Sequence, residues 1–222
     1  MNTRIFLLVL FVFTVGQLRA QFRFQYGLLP VLNVNKKIDE QYKLNFKMEG
    51  RQQILAAGEV ASEYQLTDMS LILARRTGLD QTMAGGYLIR FREGERIHRL
   101  IQQWVFKSSL NPFDLVHRIV SDQTFSPAEK TEFRLRYRAS LQLPLSGESL
   151  NEREAYLKIN NEYLGSMQGG KYDLEVRLIT AMGFRITNYN KVELGLDNRL
   201  DAFLVGEGRL RSWSTLSWYR AF

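Results

Sequence analysis

Thr131 to Leu143 constrains this chain more than any other stretch. Its odd positions include Phe133, Leu135, Tyr137, Ala139, Leu141 and Leu143; its even positions are Glu132, Arg134, Arg136, Arg138, Ser140 and Gln142. Successive side chains of a strand point to opposite sides, so period 2 makes one face apolar and the other polar. A helix would mix the two sets on every face. The length matters as well. Strands of soluble sandwiches usually run about 5–6 residues, whereas a tilted strand crossing a bilayer needs about 9–11.

The same alternation recurs along the chain. In Tyr42–Arg51, Leu44, Phe46 and Met48 oppose Lys43, Asn45, Lys47, Glu49 and Arg51. In Tyr172–Ile186, Leu174, Val176, Leu178, Met182 and Phe184 oppose Asp173, Glu175, Arg177 and Arg185. In Val192–Asp201, Val192, Leu194, Leu196 and Leu200 oppose Glu193, Asp197, Arg199 and Asp201. Less regular strands are readable at Tyr26–Lys37, Tyr64–Arg76, Ala84–Arg92, Arg96–Lys107, Phe113–Gln123, Ala155–Leu164 and Leu210–Phe222. Turn chemistry separates them: Glu93-Gly94-Glu95, Asn111-Pro112 and Gly206-Glu207-Gly208 fit hairpin loops. Longer links are expected at Leu145–Arg153 and Gln52–Glu63. No repeat or low-complexity tract divides the chain, which reads as one domain over residues 21–222.

These segments predict an all-β fold, an antiparallel transmembrane β-barrel. Bacterial single-chain barrels normally close with an even number of strands, so the eleven segments imply about 12 strands, with 10 as the alternative. The doubtful region is Arg51–Glu63, where Ile54–Ala61 fits strand, helix or loop. A soluble sandwich also alternates, but it turns its apolar face inward. The charges here change sign from strand to strand. Closed into a barrel, Lys47, Glu49, Arg134, Arg136, Arg138, Asp173, Glu175, Arg177, Glu193, Asp197 and Arg199 form a lumen network in which they neutralise one another.

The ends agree with a membrane barrel. Residues 1–20 read as a signal peptide: Arg4 supplies the positive start, Ile5–Val15 the apolar run, and Gly16–Ala20 the cleavage region. About 11 apolar residues are too few to span a bilayer as a helix, which takes about 20. Cleavage would leave Gln21 first. The chain ends in Phe222, with Trp218 and Leu216 at alternate positions behind it, like the last strand of outer-membrane barrels. Arg220 departs from that pattern. Trp213, Trp218 and Tyr219 suggest an aromatic girdle. The expected location is therefore the outer membrane of a Gram-negative bacterium.

Composition narrows the chemistry. The chain has no Cys, which excludes disulfides, thiol catalysis, zinc–thiolate sites and a lipid-anchored Cys. Losing Arg4 and Arg19 with the signal lowers the formal net charge from +7 to +5. For an exported chain, that charge points to outer-membrane lipid headgroups rather than nucleic acid. Only two histidines occur, His98 and His117. Pairing their strands across a two-residue turn puts His98 beside Phe125 and His117 beside Phe106, too far apart to share a metal. No Gly-x-Ser-x-Gly is present. The one trio worth testing for nucleophilic chemistry is His98, Ser121 and Asp122. Gly85-Gly86 and Gly169-Gly170 read as turn or close-packing glycines.

Four short motifs carry a family resemblance. Gly86-Tyr87, Arg96-Ile97-His98-Arg99-Leu100, Arg134 to Arg138 and Asn160-Asn161-Glu162-Tyr163 follow in an order that resembles the Bacteroidetes-type barrels grouped as domain of unknown function 2490. The resemblance implies an outer-membrane barrel and no assigned activity, and no cofactor is expected. Three functions remain in order: a structural or accessory envelope barrel that meets lipid and other envelope proteins, a narrow channel for small solutes, and more remotely a lipid-modifying barrel enzyme.

Overall fold

The computed structural model describes residues 23–222 apart from 57, 111, 112, 128 and 148. The expected signal peptide, its cleavage before Gln21 and the Asn111-Pro112 turn lie outside the described residues. Eleven strands follow in order: β1 (Arg23–Lys37), β2 (Tyr42–Ala56), β3 (Glu59–Arg76), β4 (Gln81–Arg92), β5 (Glu95–Leu110), β6 (Phe113–Phe125), β7 (Glu132–Pro144), β8 (Glu154–Gln168), β9 (Lys171–Thr187), β10 (Asn190–Asp201) and β11 (Arg209–Ala221). Each of the eleven alternating segments becomes one strand. A single turn of 3-10 helix, Phe203–Val205, links β10 to β11.

The strands close into a barrel. Chain neighbours pair antiparallel from β1 round to β11, and β11 then returns to β1 parallel, from Arg23↔Arg209 to Asn35↔Ala221. This corrects two expectations. The count is eleven, not 12 or 10, and the sheet is mixed rather than antiparallel throughout. The reason is topological: reversing direction at each step round an odd ring leaves the last strand aligned with the first.

The link expected at Gln52–Glu63 is also corrected. β2 continues to Ala56 and β3 begins at Glu59, so these residues extend a hairpin. Its register slips between Arg51 and Gln52 and again between Gln53 and Leu55. Each slip moves side chains to the other face, which blurs the alternation there. The β7–β8 and β10–β11 links are longer, at residues 145–153 and 202–208, whereas the β4–β5 turn is tight. Glu93 and Gly94 join β4 to β5 with φ of 53° and 80°, the two left-handed residues that a type I′ hairpin requires.

The faces divide by parity along each strand. On β7, Leu135 is 63% exposed while Arg134 and Arg136 turn inward. On β10, Leu194 is 64% exposed while Glu193, Asp197, Arg199 and Asp201 are buried. Phe46, Met48, Leu71, Leu73, Leu178 and Met182 likewise stand outward. The apolar face is thus the outer one, the inverse of a soluble sandwich.

Two aromatic residues help fill the interior. Tyr156 on β8 lies opposite Gly183 on β9, and Trp213 on β11 opposite Gly27 on β1. A Cβ at either glycine would overlap the facing ring, so the glycines make room for large side chains inside the wall. This corrects the expected girdle. Trp213 is 3% exposed and inside, and the Tyr219 hydroxyl donates to buried Glu193 at 3.0 Å. Trp218 alone of the three faces outward. Arg220 also points outward, with its guanidinium 4.8 Å from the Phe222 ring centre and a 3.0 Å bond to the Asn190 side chain.

Candidate functional site

The interior charges are organised by strand register. One row of cross-strand partners runs Arg118, Arg138, Glu162, Arg177, Arg199 and Arg211 across β6 to β11. Five arginines on six adjacent strands therefore share a row with one carboxylate. Asp122, Glu175, Asp197 and Asp201 lie on the same strands a few residues away and supply the missing negative charge.

Glu162 is wholly buried and central. It accepts from Arg138 at 2.6 Å, pairs with Arg177 at 2.8 Å, and lies 3.6 Å from Arg136. Arg177 also holds Glu175, whose other oxygen accepts from Arg211 at 3.0 Å. Arg211 continues to Asp201, which Arg209 grips at 2.8 Å. In the other direction, Arg136 stands 3.7 Å from Asp122, which binds Arg134 at 2.7 Å and Arg99 at 3.4 Å. The result is one continuous chain of shared ions from Arg99 on β5 to Arg209 on β11. Low local dielectric strengthens each link and makes each unpaired group costly.

Other charges close locally. Arg90 grips Asp68 with two bonds of 2.7 Å. Arg199 holds Asp197 at 3.1 and 2.7 Å. Glu49 takes Lys47 at 2.6 Å and Arg51 at 2.7 Å, and the Arg51 guanidinium lies 6.0 Å from the Trp213 ring centre. Glu193 is held by Lys158 at 2.8 Å, Tyr156 at 2.7 Å and Tyr219 at 3.0 Å. Of the eleven residues expected to form the lumen network, ten join ion pairs inside. Asp173 does not: its Oδ1 is buried without a hydrogen-bond partner.

The network draws in residues that sequence reasoning did not place there: Asp68, Arg90, Arg99, Asp122, Glu162 and Arg211. Arg99 and Glu162 lie within two of the four motifs that carry the family resemblance, and parity along those motifs carried the signal. Asp122 is 1% exposed and faces the interior, while Ser121 falls on the opposite face of β6 and pairs with Gln102. The trio with His98 therefore does not assemble. His98 and His117 pair with Phe125 and Phe106 as their spacing predicts. Both face outward: His117 meets the Tyr137 hydroxyl at 2.8 Å, and His98 meets Tyr87. Among the described residues no group of three metal-ligating side chains forms.

An odd-stranded barrel, apolar outside and stitched inside by shared ion pairs, is the class of protein this fold defines. The chain belongs to the family described as "Protein of unknown function (DUF2490)", whose model matches residues 26–203, from β1 through β10. No curated protein and no solved structure matches it.

Proposed function

We propose that the barrel spans the outer membrane of a Gram-negative bacterium after a signal peptide is removed near Ala20. There it acts as a structural or accessory barrel of the envelope, meeting lipid outside and other envelope proteins at its rims. The observation that carries this is the inverted burial: large apolar side chains stand exposed on the outer wall while Asp122, Glu162, Glu193 and Asp201 are buried within. In water, that outer wall would be a large apolar liability; against hydrocarbon it is the favoured surface. The length fits as well. A 13-residue strand such as β7, rising about 3.3 Å per residue and tilted about 40°, covers roughly 30 Å, the thickness of the hydrocarbon core.

The ion-paired interior supports a filled rather than conducting lumen, and the proposal assigns the barrel no reaction. The test uses single cysteines at positions 135, 136, 137 and 138 in this Cys-free chain. A lipid-phase quencher is expected to reach labels at 135 and 137 and to miss 136 and 138. Recovery of the mature protein in the soluble periplasm, with gel mobility unchanged by heating, would overturn the reading. Reproducible single-channel steps in planar bilayers, altered by Arg136→Gln, would replace it with the narrow channel.

A further inference from the structure

Arg118 is an interior cation that the network leaves out. It faces inward from β6 with its Nε buried and bonded to nothing, and it joins no ion pair among the described residues. Its neighbours supply no negative charge. Val105 lies opposite on β5, Val116 and Val120 flank it on β6, and its partner on β7 is another arginine, Arg138. The nearest carboxylate in that row, Glu162, is already divided among Arg138, Arg177 and Arg136. The Nε of Arg136 is likewise buried without a hydrogen-bond partner.

The same imbalance continues toward the end of the barrel where Phe222 lies. Lys191 joins no ion pair among the described residues; its ammonium rests 5.1 and 5.9 Å from the ring centres of Tyr219 and Tyr156. Lys158 lies beside it, and the one carboxylate there, Glu193, already accepts from Lys158, Tyr156 and Tyr219. Lys107 stands at the rim with Asp114 at 2.5 Å.

An uncompensated cation, even one only partly buried as Arg118 is, is costly, and a second cation opposite it makes matters worse. A bound anion removes both costs. Guanidinium forks match oxyanions, and cross-strand residues start from Cβ atoms about 4.5–5.5 Å apart, close enough for two forks to meet one tetrahedral ion. We infer that the barrel interior binds a small oxyanion of the phosphate class, held between Arg118 and Arg138 and approached from the Phe222 end past Lys191. The site goes beyond the envelope role and depends on the barrel interior alone, not on where the barrel resides.

The experiment titrates inorganic phosphate into the folded mature protein in detergent, with ionic strength held constant by chloride. Phosphorus NMR line broadening and the thermal unfolding midpoint serve as readouts. Saturable binding is expected, with a midpoint that rises as phosphate is added. Arg118→Gln and Arg138→Gln should each weaken it at least tenfold, and Lys36→Gln on the outer wall should leave it unchanged. Arg118→Lys, which keeps the charge without the fork, should weaken binding less than Arg118→Gln and serves if a Gln variant fails to fold. No saturable binding by the folded wild-type protein, or equal binding by a folded Arg118→Gln variant, overturns the inference. A soluble periplasmic location would sink the membrane reading and leave this one standing; absence of phosphate binding would do the reverse.

Discussion

The pair Asp68–Arg90 and the chain running from Arg99 to Arg209 solve the same problem in different ways. Asp68 and Arg90 face each other across β3 and β4 and satisfy one another with two bonds of 2.7 Å. The chain instead divides each carboxylate among several arginines, so that Asp122, Glu162, Glu175 and Asp201 tie seven strands together. A closed pair is a local solution, and its loss stays local. A shared carboxylate is a joint, and its loss strands several cations at once.

The sharpest way to break this comparison is to remove the joint. Glu162→Gln leaves Arg138, Arg177 and Arg136 without their common anion. Removing one partner of a buried pair costs about 3–5 kcal/mol, and this variant is expected at or above the top of that range. Equilibrium unfolding in detergent, followed by tryptophan fluorescence, measures it; a loss below about 1 kcal/mol would show the chain to be dispensable.

The closed pair comes next. Arg90→Met alone strands buried Asp68 and is expected to cost about 3 kcal/mol, whereas adding Asp68→Leu should restore most of it, since a buried pair replaced by apolar residues is often neutral. Restoration that fails in the double variant would mean that Asp68 and Arg90 are also joints. Arg136→Gln should be milder. Arg136 stands 3.6 and 3.7 Å from two carboxylates that other arginines hold at 2.6 to 2.8 Å, so a loss of about 1 kcal/mol is expected by the same unfolding assay.

The smallest effect lies outside the barrel wall. Lys37 bonds Glu40 in the turn after β1, and this bond holds the Glu40 carboxyl below its usual range. A lowered folded value means that any stabilisation is present at neutral pH and is lost as the solution is acidified through the carboxylate range. Because Glu40 is exposed and Lys37 half-exposed, Glu40→Gln should leave the unfolding midpoint unchanged at both pH 7 and pH 4. A measurable drop at pH 7 alone would give this rim contact a structural role.

Most of the wall was readable from sequence because parity along a strand is a local property. Eleven alternating segments became eleven strands, and the odd positions of β7 point outward as expected. The closure was not readable. Whether first and last strands meet parallel or antiparallel depends on the parity of the whole set, and a general preference for even counts pointed the wrong way. Residue type misled where it was weighed above parity: Trp213 and Tyr219 share the parity of Arg211, and all three turn inward. The identity of ion partners also lay beyond reach. Asp122 meets Arg134 only through the register of β6 against β7, which no single segment contains. Arg118, set between Val116 and Val120, breaks the alternation that revealed its neighbours.

The parallel meeting of β1 and β11 has a consequence for anyone who would rewire the chain. Arg23 lies beside Arg209 at one mouth, while Phe222 lies beside Lys37 at the other. Joining Phe222 to Arg23 in a circular permutant would require a linker as long as the barrel is tall, on the order of ten extended residues. That linker would have to pass through the crowded interior or along the apolar outer wall, whereas a barrel with an even count needs only a short turn. Labels attached before β1 and after β11 therefore report on opposite mouths.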